Sequence, residues 1–404
     1  MWFAFFLNQG DRQVYNSVLP LIRDDLGLDE IQLGLVATIF TIVYGLLVPF
    51  AGYAGDVYRR KYVVLISLSL FSLGTLLTGL AGGFLLLIVF RSTATGAGEA
   101  FYYPAANSLI GHYHTQSRAQ AMAIHQTANY TGVVLGGFIA AWIGEDFGWR
   151  MSFFTYGILG LILAVVILYR LRDPDKPGEA VGEIEEKERV SPREVLAVIL
   201  KIPTILFLSL AFGFMVFVHI GYVTWMPTFL HEKFDLSLAN AGFSSMFYHH
   251  LAAYVGVLAG GRISDVLATR RRQVRMELEI VGLLLGAPFI YLLGASGSLA
   301  ITYLALAGFG LFRGIYDSNL FAALFDVVEP RYRSSATGVM VAFAFIVGAL
   351  SPVFLGWMKL NVGLDYGMSL LSLLYVAGAA SIFIGLKFFF HKDFVEERPN
   401  PETV

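Results

Sequence analysis

The stretch "GYAGDVYRRK", Gly52 to Lys61, ends one long apolar run, and "GRISDVLATRR", Gly261 to Arg271, ends another about half a chain later. Both copies read Gly–x–x–x–Asp followed by arginines. Such charge cannot rest in hydrocarbon, so each copy marks a tight polar turn between two apolar helices. The loops after the fourth and tenth runs are also alike, "SRAQA" from Ser117 and "YRSSA" from Tyr332. One local design is therefore used twice.

Working outward, twelve apolar runs of bilayer-crossing length flank these turns, at approximately 1–22, 31–53, 62–81, 83–110, 119–143, 150–170, 203–230, 239–261, 276–297, 299–325, 335–358 and 366–390. Composition agrees: 56% of the 404 residues are hydrophobic and 14% charged, against about 25% charged in soluble domains. Mean hydropathy is +0.66. A net charge of −2 argues against a nucleic-acid partner. The absence of cysteine excludes disulfides and thiol chemistry.

Basic residues orient the chain. With both termini in the cytoplasm, Arg23, Arg150, Lys233 and Lys359 fall on the far side and Arg12, Arg91 and Arg313 within the membrane, leaving the rest of the 28 Lys and Arg cytoplasmic. The polar stretch "RLRDPDKPGEAVGEIEEKERVSPRE" reads as a cytoplasmic linker, with Ser191, Pro192 and Glu194 opening a short surface helix. The expected organisation is a six-helix bundle over 1–170, a linker over 171–201, a second six-helix bundle over 202–390 and a cytoplasmic tail over 391–404. The fold class expected is an all-α integral membrane protein. Two similar halves of six helices are the architecture of alternating-access carriers, whose site lies near the midplane.

Charged residues inside the runs, and the polar residues around them, are candidates for function because each charge costs at least ~2.5 kcal/mol to bury in lipid. About 16 Å of helical rise separates Met1 from Asp11, which puts Asp11 and Arg12 near mid-bilayer. Helical neighbours point about 100° apart, so the two are poor partners for each other. Asn8, Tyr15 and Asn16 share the face of Arg12. Glu99 is followed by Tyr102, Tyr103 and Asn107, and the tenth helix supplies Arg313, Tyr316, Asp317 and Asn319. Arg313 and Asp317 are spaced to pair along one helix face. The histidines His125, His219, His249 and His250 are expected mainly as core residues satisfied by neighbours. No ligand spacing suggests a metal.

Gly52, Asp56, Arg60 and Lys61 resemble the signature loop of the major facilitator superfamily, with Gly261, Asp265 and Arg270 as its degenerate second copy. "DR" in the first helix, "GEAFYYPA" in the fourth, "GWRMSF" in the sixth and "WMPTFL" in the seventh resemble the organic anion:cation symporter branch, and spinster-type carriers share several of these features. The resemblance implies no enzyme and no cofactor, but proton-coupled symport of a small organic anion such as a sugar acid. The alternative is a spinster-like exporter of a lysolipid or other amphiphile. It implies substrate contacts from Arg12, Tyr15, Asn16, Tyr102, Tyr103, Arg313, Tyr316 and Asn319, and proton coupling by Asp11, Glu99 and Asp317. Gating is assigned to Gly52, Asp56, Arg60, Lys61, Asp265 and Arg270. The expected partners are the anion, protons and the bilayer of a cell inner membrane, and the expected state is a monomer. In the resembling groups an arginine precedes the helix-four glutamate by seven residues; here Arg91 precedes Glu99 by eight. The extra residue swings Arg91 about 100° off that face unless a π-bulge absorbs it. "GVVLGG", Gly132 to Gly137, lacks an antiporter-type proline, which favours symport or uniport.

Overall fold

The first helix begins at Trp2 and breaks at Val18, where Pro20 removes a backbone donor, giving α1 (Trp2–Ser17) and α2 (Leu19–Leu26). Gly27, in the left-handed region at φ 61°, ends α2. Asp29 then caps α3 (Glu30–Val57): its carboxylate accepts from the Gln32 amide at 2.7 Å, and the Gln32 side chain accepts from the Asp29 amide at 3.0 Å. This reciprocal box fixes the register of the next span.

In the computed structural model, residues 1–114, 117–171, 199–268 and 270–395 are described. Every regular element among them is helical. After α3 come α4 (Arg60–Thr78), then one composite span of α5 (Phe84–Leu87), a π-helical segment (Ile88–Thr95), α6 (Gly96–Ala100) and α7 (Tyr102–Tyr113). The N-terminal half closes with α8 (Arg118–Phe147) and α9 (Trp149–Arg170). The C-terminal half contains α10 (Pro203–Phe234), α11 (Leu238–Ala268), α12 (Val274–Ala295) and α13 (Leu299–Phe325). It ends with α14 (Arg333–Ala349) and α15 (Ser351–Asn361), which share one span, then α16 (Leu364–Phe388) and the short α17 (Phe390–Asp393).

Ten described helical spans are long and apolar enough to cross a membrane. The spans containing Asp11–Arg12 and Arg118–Phe147 complete the twelve read from the sequence. The linker helix expected at Ser191–Glu194 and the tail from residue 396 lie outside the described residues.

The helices form two compact units. The first comprises residues 1–185, 219–247 and 349–367, and the second 186–218, 248–348 and 368–404. In the first unit α1 meets α8 through Gly10, Gly132 and Gly136. Lipid gives helices no hydrophobic reason to associate, so small residues that admit close backbone contact drive the packing. A Cβ on Gly136 would fall 2.3 Å from the Gly10 Cα, and one on Gly132 would fall 2.6 Å from the Phe6 carbonyl oxygen.

At one end of the same unit, Arg23 reaches Glu30 at 3.1 Å and Glu232 at 2.7 Å, while Lys359 reaches Glu30 at 3.0 Å and Glu232 at 2.8 Å. Two cations and two carboxylates thus join α2 and α3 to α10 and α15. Nearby, Gly34 of α3 lies so close to α15 that a Cβ would meet the Pro352 carbonyl oxygen at 2.4 Å. In the second unit, Arg275 at the start of α12 is paired with Asp326 just beyond α13.

Gly136→Ala is expected to lower the melting temperature of the purified protein, by the ~1–3 kcal/mol typical of overpacking. Gly338→Ala, at a helical site with open space around the added methyl, should be neutral or slightly stabilising. Equal melting temperatures for the two variants would contradict the close approach of α1 and α8.

Candidate substrate and proton site

Adjacent on α1, Asp11 and Arg12 point to different helices, as the 100° step requires. The Arg12 Nε is 2.5 Å from Glu99 Oε2 on α6. Asp11 instead accepts from the Thr75 hydroxyl of α4 at 2.7 Å and lies 3.5 Å from Arg91. Arg91 completes the set at 3.8 Å from Glu99 Oε1, and it donates to the Arg12 carbonyl at 3.2 Å. Two guanidinium groups therefore share two carboxylates. The four formal charges cancel, which a low-dielectric interior strongly favours.

Aromatic faces back both cations. Arg12 lies over Tyr44 at 4.2 Å and Arg91 over Phe40 at 4.4 Å, both aromatics on α3. The members of the quartet differ in exposure. The side chains of Asp11, Arg91 and Glu99 are 2%, 4% and 0% exposed, whereas Arg12 is 23% exposed. The Arg12 side chain is thus held by a buried acid and an aromatic face, yet it keeps part of its surface exposed.

The register of Arg91 is set by the π-helical segment Ile88–Thr95. A π turn takes up an extra residue, so the eight-residue spacing no longer carries Arg91 away from Glu99. The hydroxyls of Thr93 and Thr95 support the wide turn by donating to carbonyls five residues back, Ile88 at 3.1 Å and Phe90 at 2.9 Å. Ser92 anchors the segment to α3 through the Val36 carbonyl at 2.7 Å.

In the second unit Arg313 Nε lies 3.3 Å from Asp317 Oδ2, the expected pairing along one helix face. Arg313 Nη1 also lies 3.2 Å from His249 Nε2 of α11, and the His249 ring packs on Phe309 at 4.5 Å. Tyr316 and Asn319 are completely buried beside this pair on α13.

Other residues singled out from the sequence are placed differently. Tyr15 is buried, and its hydroxyl donates to the Leu33 carbonyl at 2.9 Å. The Tyr102 hydroxyl donates to the Met1 carbonyl, and its ring stacks with Phe5. Tyr103 is half-exposed beside Phe5, and buried Asn16 donates to Gln13 at 3.4 Å. The structure therefore gathers Asp11, Arg12, Arg91 and Glu99, and separately Arg313, Asp317, Tyr316 and Asn319. Lys61 donates to the Leu168 carbonyl at 2.9 Å, Arg60 opens α4, and Asp265 and Arg270 are exposed. Gly52 and Asp56 lie in the last turns of α3, and the surroundings of both are outside the described set.

His249 is buried and met by a neighbour as expected, though that neighbour is Arg313, whereas Thr75, Tyr44 and Phe40 were not singled out. Threonines and aromatics are ordinary in apolar helices, so no sequence signal separates these from the rest. Among the described residues no three His, Cys, Asp or Glu side chains are grouped to hold a metal.

Comparison with known proteins identifies the assembly. Residues 1–352 match the family model described as Major Facilitator Superfamily. The chain belongs to the major facilitator superfamily. It is a multi-pass membrane transporter and not an enzyme. It is 28% identical over 397 residues to a hexuronate transporter of Bacillus subtilis (strain 168), covering 96% of this chain and 92% of that one. It is also 26% identical over 378 residues to protein spinster homolog 1 of Xenopus tropicalis, covering 88% of this chain and 71% of that one. The fold matches a crystal structure of a bacterial homologue of the human lysosomal transporter spinster, in an inward-facing and unoccupied conformation, with a TM-score of 0.83 at 22% identity and coverage of 98% and 97%.

If the π turn exists to absorb one residue, deleting Thr93, an exposed member of it, should preserve the fold of the transporter. Inserting an alanine between Gly96 and Ala97 should instead swing Glu99 away from Arg12 and break a buried pair, costing about 3–5 kcal/mol. Thermal unfolding of the two variants in detergent checks this. A deletion as damaging as the insertion would refute the account.

Proposed function

We propose that this transporter carries a small organic anion of the sugar-acid class together with protons, by alternating access, and that Arg12 and Glu99 couple the two. The observation that carries the reading is the partly exposed Arg12 side chain held at 2.5 Å by a wholly buried carboxylate. An incoming carboxylate competes with Glu99 for the same donors. A proton on Glu99 removes its charge, frees Arg12 and leaves the site with net positive charge. Arginine then offers the substrate two parallel hydrogen bonds. Anion and proton thus favour each other's binding, the thermodynamic requirement for symport. Asp11, fixed by Thr75 and Arg91, is the second proton-coupling candidate. Arg313 with Asp317 is assigned an independent anion contact and proton site. Among the relatives, the names hexuronate transporter and probable galactarate/D-glucarate transporter specify sugar acids, which supports the choice of cargo.

The site is placed in a cell inner membrane with both termini cytoplasmic, in a protein acting as a monomer. The Arg23–Glu30–Glu232–Lys359 network would then close the extracytoplasmic end, and the arginine-bearing loops at Asp56–Lys61 and Asp265–Arg270 would gate the opposite one.

Binding of D-glucuronate to the purified protein, measured by calorimetry across pH, tests coupling. Wild type should bind more tightly as pH falls and Glu99 takes up its proton. Glu99→Gln, a mimic of the protonated acid, should bind tightly with the pH dependence flattened. In proteoliposomes it should exchange substrate without gradient-driven accumulation. Arg12→Gln should lose about 1.5–3 kcal/mol, roughly 10- to 150-fold in affinity, and Arg12→Lys should recover part of it. Parent-like affinity in a folded Arg12→Gln variant would remove Arg12 from the site. Saturable binding of a lysophospholipid with none of glucuronate would assign the transporter to amphiphile export instead.

The gate is tested with single cysteines placed near Gly34, in a chain that has no native cysteine. Lys359→Met should raise their labelling by an impermeant reagent from the extracytoplasmic side about fivefold, matching the ~1 kcal/mol of a partly exposed ion pair. Unchanged labelling would exclude the network as a closure.

A further inference from the structure

Glu279 lies on α12, one turn after Arg275, and is completely buried. Neither of its carboxyl oxygens meets a hydrogen-bond donor among the described residues. It is not alone. The hydroxyls of Tyr316 on α13 and Tyr375 on α16 are also buried without partners, as is the Asn319 side-chain oxygen, although Asn319 Nδ2 donates to the Ile315 carbonyl at 2.9 Å. These groups occupy one core. Gly282, a turn beyond Glu279, abuts the Tyr316 amide and the Phe312 carbonyl, and Gly286 abuts the Tyr375 ring.

Buried polar groups are hydrogen-bonded as a rule, so several orphans in one place require explanation. A bare carboxylate in such a shell would pay several kcal/mol of desolvation. The surrounding charges do not relieve it. Arg275, on the same helix, pairs through Nη1 with Asp326, itself a like charge in electrostatic reach of Glu279, and although the buried Arg275 Nε meets no acceptor among the described residues, it does not reach either Glu279 oxygen. Arg313 is paired with Asp317, which acts on Tyr316 and Tyr375 rather than supplying a donor to Glu279. From α10, Ala211 and Phe207 pack against α16 in this region, and neither ionises. A neutral carboxylic acid fits the shell, since it can donate one hydrogen bond and accept others. Water is the partner whose size and hydrogen-bonding capacity suit a cluster of this kind.

We propose that Glu279, with the hydroxyls of Tyr316 and Tyr375, forms a further, internally hydrated proton-binding site in the C-terminal half, distinct from the Arg313–Asp317 pair, with Glu279 as its protonated carboxyl. The site is separate from the Arg12–Glu99 quartet and stands whether or not the cargo is a sugar acid. Nothing in its sequence context marked it, because Glu279 follows Glu277 and lies only three residues inside the expected start of its run at 276, where an acid reads as interfacial.

Infrared spectra of the full-length protein in lipid nanodiscs test the proposal directly. At neutral pH the wild type should show a carbonyl stretch of a protonated carboxylic acid that shifts in deuterated water. Glu279→Gln should lack that band, whereas Glu99→Gln should keep it, which distinguishes this site from the coupling acid. Retention of every protonated-acid band in Glu279→Gln would overturn the proposal. Should Glu279→Gln fail to fold, Tyr316→Phe gives the same information. A changed band frequency supports the shared hydrogen-bond network, and an unchanged spectrum overturns it.

Discussion

Two arginines and two carboxylates buried beside the first helix impose the main constraint on this protein. Each charge alone would be prohibitively placed, yet Asp11, Arg12, Arg91 and Glu99 are tolerable together because their charges cancel and their donors meet acceptors. The requirement reaches outward. α1 must approach α4 and the composite fourth span closely enough for Asp11 to meet Thr75 and for Arg12 to meet Glu99. The glycine contacts between α1 and α8 hold the opposite side of the same helix. The π turn then brings Arg91 into the set, and the aromatic faces of Phe40 and Tyr44 cover the cations where lipid-like packing would leave them unsupported.

In the proposed function, balance of this kind is also what makes the quartet responsive. A neutral cluster changes character when one proton or one anion enters, because either unbalances it by a full charge in a medium that screens poorly. The exposure gradient gives such an event a direction: Arg12 can be reached, whereas the acid that holds it cannot. The second unit follows another principle. Arg313 is paired along its own helix and reaches His249, and buried Glu279 meets no hydrogen-bond donor among the described residues. The two units therefore hold their buried charge in different ways.

Much of the fold was legible before any coordinates. Run lengths anticipated most helix ends to within a few residues, although α11 runs on to Ala268 past the expected end at 261, and the tenth span, 299–325, coincides with α13. Arg313 and Asp317 could be paired from their spacing alone, since both sit on one helix and the geometry is local. Tyr15 and Tyr102 show where such reasoning ends. Both lie near the right depth, yet each hydroxyl is used by a backbone carbonyl, of Leu33 and Met1 respectively. Helical spacing gives depth and face, but it does not say which neighbour that face meets.

The division follows from the range of each interaction. Hydrophobic periodicity, turn chemistry and the repeated Gly–x–x–x–Asp loop are short-range, so the sequence by itself determined a twelve-helix membrane transporter of this superfamily and the inventory of charges buried in it. Which acid each arginine holds, the π turn that restores Arg91 to the site, and the isolation of Glu279 were decided by the tertiary structure. Those outcomes depend on helix azimuth and interhelical distance to within an ångström or two, and residues 80 or more positions apart in the chain set them jointly.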